Sequence, residues 1–184
     1  MQVAIIGAGP LGRWLALASA RAGYAVLLED VMPSNLHHAQ EYLRQQLGPA
    51  ALPNVTFAST IEQAVREADL AIDCVPDELE SKLEIFCLLD RMSPPRTILV
   101  TPTKRLSIAD LASCTYRAHK CVGLVADVQE LTGVPTSNGQ DRGNGAAILL
   151  RTPSQVSQET VALVKEFWER IGFAPQFEAD RSVL

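Results

Sequence analysis

Three glycines near the N-terminus, Gly7, Gly9 and Gly12, limit this chain to few local structures. Gly7 and Gly9 follow a short apolar run at residues 3–6. Gly12 lies in the first turn of residues 10–22, whose pattern predicts a helix. Between a strand and a helix, each glycine has its own task. Gly7 permits a tight turn, Gly9 lets the pyrophosphate of a ligand approach the backbone, and Gly12 lets the helix pack closely on the strand. The spacing therefore predicts a dinucleotide-binding turn.

The first helical turn and the end of the second predicted strand complete this pattern. Pro10 and Leu11 begin the helix, where the missing N–H of proline is tolerated and the free N–H groups attract a phosphate. Asp30 comes soon after the predicted strand at residues 25–28, with Glu29 beside it. A carboxylate there accepts hydrogen bonds from the adenosine ribose hydroxyls and repels a 2′-phosphate. The cofactor predicted is NAD(H) rather than NADP(H).

The rest of the chain alternates short apolar runs with amphipathic stretches, which is typical of βαβ units. This alternation predicts an α/β fold with a doubly wound, mostly parallel sheet, in one dinucleotide-binding domain over residues 1–184. Residues 132–145 are rich in Gly, Asn, Ser and Thr and are expected to form a long mobile loop. The predicted strands are residues 3–6, 25–28, 55–58, 69–75, 97–101, 120–126, 146–150 and 174–177, and the predicted helices are 10–22, 33–47, 61–67, 78–91, 108–112 and 155–171.

Composition excludes several classes of partner. The net charge of −5 argues against nucleic-acid binding, and no apolar stretch is long enough to predict a membrane span. The four cysteines are well separated and contain no CxxC pair, so neither a zinc site nor a disulfide framework is expected. Free thiols fit a reducing compartment, and a cytoplasmic location is the expectation.

Three stretches of the chain resemble the NAD-binding domain of the 3-hydroxyacyl-CoA dehydrogenases, and the resemblance runs to about residue 177. They are AIIGAGPLG at residues 4–12, DLAIDCVPDELESKLEIF at 69–86, and ILLRTP at 148–153. The resemblance implies an NAD-dependent oxidoreductase of fatty-acid metabolism. It also implies that Asp77 and Lys82 lie near the ribose on the nicotinamide side of the cofactor. An alternative for the same residues is that Asp77 caps the next helix and Lys82 forms a solvated pair with Glu78.

The family's catalytic residues do not recur at the matching positions. Its serine corresponds to Lys104, its histidine base to Val125 and the glutamate that orients this base to Ile148. Neither valine nor isoleucine can transfer a proton. The family's catalytic asparagine belongs to a C-terminal helical domain that has no counterpart in this sequence. The three histidines, His37, His38 and His119, are expected at the surface, away from the reacting end of the cofactor.

Three hypotheses follow. The first is an NAD(H)-binding protein of this family that is catalytically degenerate. The second is an active dehydrogenase or reductase for another, anionic substrate that uses Lys104 or Thr103 and is completed by a partner subunit. Lys104 and Arg105 could bind such an anion, or could be two exposed cations at a helix start. The third is a non-enzymatic dinucleotide-sensing module, whose loop at 132–145 orders on binding. A homo-oligomer is compatible with each hypothesis.

Overall fold

The computed structural model describes residues 1–126, 128–132 and 145–180, and these form one sheet with helices on both faces. The strands are β1 (Gln2–Ile6), β2 (Ala25–Glu29), β3 (Val55–Ala58), β4 (Leu70–Asp73), β5 (Ile98–Pro102), β6 (Cys121–Val125), β7 (Ala146–Thr152) and β8 (Phe173–Ala179). The helices are α1 (Pro10–Arg21), α2 (Pro33–Gln46), α3 (Ile61–Val65), α4 (Leu79–Met92), α5 (Ile108–Ser113), α6 (Val128–Thr132) and α7 (Gln158–Arg170).

The sheet has eight strands in the order β3-β2-β1-β4-β5-β6-β7-β8. All neighbouring strands pair in parallel except β6 and β7, which are antiparallel. From β1 the chain first builds outward through β2 to β3, and then returns to the other side of β1 with β4. The strand order therefore reverses between β1 and β4, where open α/β sheets bind their ligands. The predicted doubly wound, mostly parallel fold is confirmed.

The core lies on both faces of the sheet, which explains the continuous apolar runs of the central strands. In β4, Leu70 and Ile72 belong to the apolar cluster that contains α1 and α7, while Ala71 belongs to the cluster that contains α4 and α5. Small residues along α1, such as Ala16 and Ala20, are buried against the sheet.

Several predicted boundaries differ from the structure. The strand predicted at 69–75 covers only Leu70–Asp73, because the chain turns at Asp73, whose side chain accepts the N–H of Val75. The last helix begins at Gln158 rather than at residue 155, since Ser157 caps it through the N–H of Thr160. Helix α6 was not predicted. Of the loop expected at residues 132–145, only Thr132 and Gly145 lie within the described residues.

No helix in the described part of the chain is long and apolar enough to cross a membrane. Within the same residues, no group of three His, Cys, Asp or Glu side chains is arranged to hold a metal ion.

Candidate functional site

One cleft of about 1150 Å³ lies at the carboxyl ends of the central strands. Its floor includes Ile6 at the end of β1, Glu29 at the end of β2, Cys74 just after β4 and Pro102 at the end of β5. The cleft therefore straddles the point between β1 and β4 where the strand order reverses. Its volume is somewhat above the range of roughly 300–1000 Å³ found for pockets that hold drug-sized ligands. The cleft is large enough for a dinucleotide.

The glycine turn lies between β1 and α1, on the floor of this cleft. Gly7 has φ = +105°, a conformation that side chains disfavour, and its N–H donates to Glu29 O at 2.7 Å. A Cβ on Gly12 would overlap the carbonyl oxygen of Gly7, whereas a Cβ on Gly9 would have no protein atom within 4 Å. Gly9 precedes α1 and lines the cleft, with Pro10 at the first helical position. The turn thus leaves a space against the Gly9 backbone at the positive end of α1.

The Asp30 carboxylate is hydrogen-bonded on both oxygens. Ala8 N donates to Oδ2 at 2.7 Å and Met32 N donates to Oδ1 at 2.7 Å. Asn35 Nδ2 lies 3.2 Å from Oδ1 and 3.1 Å from Oδ2. The carboxylate is therefore fixed directly beside the glycine turn. Asn35 lies in the first turn of α2, but Met32 precedes that helix without a side-chain cap, and Asn35 contacts Asp30 instead.

Glu29 is a second carboxyl group at this end of the cleft, and it is 6% exposed. Burial raises the pKa of Glu29 above its ordinary value, and the adjacent Asp30 charge raises this pKa further. The folded protein therefore binds a proton at Glu29 more tightly than the unfolded chain does. The stability that this proton provides is complete below pH 4.5 and is lost as the pH rises through the raised pKa.

We expect Glu29→Gln to raise the Tm at pH 7.5, because the neutral amide avoids the burial of a charge. The gain should be a few degrees, since 1 kcal/mol corresponds to roughly 2–4 °C in Tm for a chain of this size. Thermal unfolding between pH 4.5 and pH 8 measures it, and the gain should shrink steadily toward pH 4.5. Glu62→Gln, which removes an exposed carboxylate from the same cleft, is the control. A gain for Glu29→Gln that does not change with pH would contradict this account.

A buried ion pair lies beneath the cleft at the end of β4. Lys82 and Asp73 are 1% and 0% exposed, and Lys82 Nζ lies 3.1 Å from Asp73 Oδ2. Thr101 Oγ1 donates to the same oxygen at 2.8 Å, and Val75 N donates to Oδ1 at 2.9 Å. Burial raises the pKa of the Asp73 carboxyl, and the Lys82 ammonium and the Thr101 hydroxyl oppose that rise. The cluster joins β4, β5 and α4 under the loop at residues 74–77, which lines the cleft.

This cluster corrects one interpretation of Lys82. The solvated pair with Glu78 is wrong, because the Lys82 side chain is buried and directed at Asp73. Lys82 also lies under the cleft rather than among the residues that line it. Asp73 could not be predicted as the partner of Lys82 from the sequence, since an acid at the end of an apolar run is typical of many strand ends.

Asp77 lines the cleft and holds an unsatisfied oxygen. Its Oδ2 accepts the N–H of Lys104 at 3.3 Å, whereas its Oδ1 is buried without a hydrogen-bond partner among the described residues. The expected helix cap is wrong, because Glu78 precedes α4 and makes no side-chain capping bond. A buried carboxylate oxygen without a donor is costly, so this atom suits a hydroxyl group brought by a ligand.

The loop after β5 carries the two cations that line the cleft in the described part of the chain. Lys104 Nζ forms an ion pair with Glu130 Oε1 of α6 at 2.7 Å, and Arg105 Nη2 donates to Asp77 O at 3.2 Å. Both side chains are exposed, as one interpretation expected, but both are engaged by the protein. Thr103 is buried and its hydroxyl accepts the N–H of Leu106. An anion that bound here would have to compete with the Glu130 carboxylate.

The positions where the resemblance implies a base and its orienting acid carry apolar side chains. Val125 ends β6 and pairs with Leu149 of β7, and Ile148 is 7% exposed within the core. His37 and His38 are exposed on α2, and His119 is exposed before β6. No histidine lines the cleft in the described residues. This end of the cleft therefore offers carboxylates and cations but no imidazole.

The strand order, the glycine turn and the acid after β2 define a Rossmann-type dinucleotide-binding fold. The family model for the NAD-binding domain of 3-hydroxyacyl-CoA dehydrogenase matches residues 2–124, and the chain belongs to this family. The cofactor of this domain is NAD. The match ends before the third similar stretch, at 148–153.

Relatives and solved structures agree with this assignment. A probable 3-hydroxybutyryl-CoA dehydrogenase of Bacillus subtilis is 30% identical over 136 residues, which are 67% of this chain and 47% of the relative. The crystal structure of an NAD⁺-dependent 5-formyl-3-hydroxy-2-methylpyridine 4-carboxylic acid 5-dehydrogenase has a TM-score of 0.80 at 25% identity, covering 98% of this chain and 58% of that one. A 3-hydroxybutyryl-CoA dehydrogenase structure from Escherichia coli, at 23% identity, shows the same fold with a TM-score of 0.81, covering 98% of this chain and 38% of that one. The matched regions thus span between 38% and 58% of the length of these relatives.

Proposed function

We propose that this chain binds NAD(H) in the cleft and does not by itself catalyse the 3-hydroxyacyl-CoA dehydrogenase reaction. The observation that carries the first part is the pair of carboxylates that line one cleft after β2 and β4, the strands on either side of β1. Asp30 is fixed beside the glycine turn, and Asp77 presents a buried oxygen that has no donor among the residues that the structure describes. The two ribose groups of a dinucleotide supply hydroxyl donors on either side of a pyrophosphate.

The residues present fit the cofactor. The turn formed by Gly7, Gly9 and Gly12, with Pro10 and Leu11 at the start of α1, would hold the pyrophosphate, because a ligand can approach the Gly9 backbone freely. Asp30 would accept the adenosine ribose hydroxyls and Asp77 a hydroxyl of the second ribose. NAD(H) supplies the hydride chemistry when it is bound.

Lys82 has a different role in this proposal. Its ammonium group neutralises Asp73, which accepts the N–H of Val75 and so fixes the loop that leads to Asp77. Lys82 is therefore a positioning residue and does not touch the cofactor. The resemblance places Lys82 near the nicotinamide-side ribose. In this proposal Lys82 affects the binding of that ribose indirectly, through Asp73 and this loop.

The second part of the proposal rests on the groups at the nicotinamide end. Val125 and Ile148 cannot accept a proton from a hydroxyl, and the Thr103 hydroxyl is buried in a turn. Lys104, the other side chain that the active-enzyme hypothesis would use, pairs with Glu130. A degenerate member of the family accounts for these substitutions more simply than a new catalytic set. In this proposal residues 1–184 form one dinucleotide-binding domain in a reducing, cytoplasmic setting.

Calorimetry with NADH and NADPH tests the binding. We expect NADH to bind with a Kd at least tenfold below that of NADPH, because a 2′-phosphate would meet Asp30 with Glu29 and Glu62 nearby in the cleft. Asp30→Asn should weaken NADH binding by roughly tenfold, as expected for hydrogen bonds to a charged acceptor, and should narrow the difference between the two cofactors. Equal affinity for NADH and NADPH in the unmodified protein would contradict the role of Asp30.

Turnover assays test the second part. With NADH, we expect no measurable reduction of acetoacetyl-CoA by this chain alone. Small oxo acids serve as a second substrate panel, because they carry the carboxylate that Lys104 and Arg105 could bind. Reduction of acetoacetyl-CoA at ordinary enzymatic rates would overturn the degenerate assignment, and reduction of an oxo acid that Lys104→Met abolishes would establish the anionic-substrate enzyme instead.

A further inference from the structure

In the described part of the chain, Asn35 is the one side chain among the donors that hold the Asp30 carboxylate, and the others are backbone N–H groups. Each backbone donor reaches one oxygen, Ala8 N reaching Oδ2 and Met32 N reaching Oδ1, while the Asn35 amide lies within 3.2 Å of both. The two backbone donors set the rotation of the carboxylate about its Cβ–Cγ bond, and the amide, which reaches both oxygens, holds the carboxylate in that orientation. That rotation decides which lone pairs face the ribose.

The position of Asn35 in the helix supports a dedicated role. Asparagine is unfavourable inside helices and favoured at their caps. Asn35 nevertheless lies in the first turn of α2 without capping it, since Met32 occupies the cap position and the Asn35 amide points to Asp30. The contact with Asp30 explains why an asparagine occurs at this position. Asn35 also lines the cleft, so its amide lies at the edge of the space that a ribose would fill.

The charge of the donor matters as much as its position. A lysine or arginine here would also hold Asp30, but it would cancel the carboxylate charge and attract a 2′-phosphate. The amide of Asn35 is neutral, so Asp30 keeps its full negative charge while its geometry is fixed. We propose that Asn35 is a positioning residue that sets the preference for NAD(H), through Asp30. This inference rests on the proposed function, because it concerns the same cofactor site.

Two variants separate the geometry from the charge. Asn35→Ala removes the donor, and we expect NADH affinity to fall by roughly three- to tenfold. The 2′-deoxyadenosine analogue of NADH lacks one of the ribose hydroxyls that Asp30 would accept, and its affinity should fall less than that of NADH in this variant. Asn35→Lys keeps a donor but neutralises Asp30, and it should lower the preference for NADH over NADPH by at least tenfold. Ser34→Ala, an exposed change in the same helical turn, is the matched control and should leave both affinities unchanged.

The outcomes distinguish the inference from the proposal beneath it. If the unmodified protein does not bind NADH, the proposed function itself fails. If it binds NADH and Asn35→Ala behaves like the unmodified protein, the role of Asn35 is overturned while the proposed function stands. If Asn35→Ala weakens NADH and its 2′-deoxy analogue equally, Asn35 supports only the local fold, and the inference is also overturned. Thermal unfolding of each variant confirms that the binding data come from folded protein.

Discussion

Replacing Gly9 with alanine is expected to lower NADH affinity by roughly ten- to a hundredfold while the protein remains folded. The backbone of Gly9, at φ = −64° and ψ = −173°, is open to alanine, and the added Cβ would meet no protein atom within 4 Å. The methyl group would instead occupy the space through which a pyrophosphate reaches the backbone. Lost hydrogen bonds to a charged phosphate weaken binding by roughly tenfold or more each. Calorimetric titration measures the NADH affinity, and circular dichroism shows whether the protein is folded.

Gly12→Ala is the matching variant in the same turn. It should impair folding, whereas Gly9→Ala should impair only NADH binding. A Cβ on Gly12 would overlap the Gly7 carbonyl, which belongs to the turn itself, so either the turn or α1 must move. We expect this variant to be strongly destabilised or insoluble. If Gly9→Ala bound NADH like the unmodified protein, the pyrophosphate would not lie on this turn.

Replacing Lys82 with methionine is expected to destabilise the protein by about 3–5 kcal/mol, the range for removing one partner of a buried ion pair. The change would leave the Asp73 carboxylate buried and without a cation. This carboxylate would then take up a proton more readily, so the loss should be smaller at low pH than at neutral pH. Urea unfolding at two pH values measures both effects. Lys165→Met, which changes an exposed lysine paired with Glu169, should alter stability little.

The double variant Lys82→Met with Asp73→Asn tests whether Lys82 touches the cofactor. It removes both charges and keeps an acceptor for the N–H of Val75, so most of the lost stability should return. NADH affinity in this variant should stay within several-fold of the unmodified protein. A hundredfold loss would place Lys82 in contact with NADH. A loss of stability below about 1 kcal/mol in the single variant would show that the ion pair is unimportant.

The parts of the site that depend on local backbone geometry could be predicted from the sequence. The glycine spacing and the acid after the second strand determine the turn and its neighbour within one βαβ unit, and both appear in the structure as expected. The groups that join distant segments could not be predicted. Asp73 meets Lys82 and Thr101 only because α4 and β5 pack against β4, and Lys104 meets Glu130 only because an unpredicted helix follows β6.

Asn35 is an intermediate case. The sequence places Asn35 five residues after Asp30, but an asparagine at the start of a helix usually indicates a cap. Whether Asn35 caps the helix or contacts Asp30 depends on which residue precedes the helix. A sequence predicts the existence of a helix better than its first residue. Burial of Lys82 was equally hidden, because a lysine four residues after Glu78 is typical of an exposed helix face.

The placement of cations in the cleft has a consequence for how such a site changes over time. In the described residues, the cleft-lining cations lie on the loop after β5, and the glycine turn offers a phosphate only N–H groups and the end of α1. Backbone dipoles stay in place under most side-chain substitutions. Changes at Lys104, Val125 and Ile148 therefore leave the phosphate site intact, so such a domain could lose its proton-transfer groups one by one and still retain its dinucleotide.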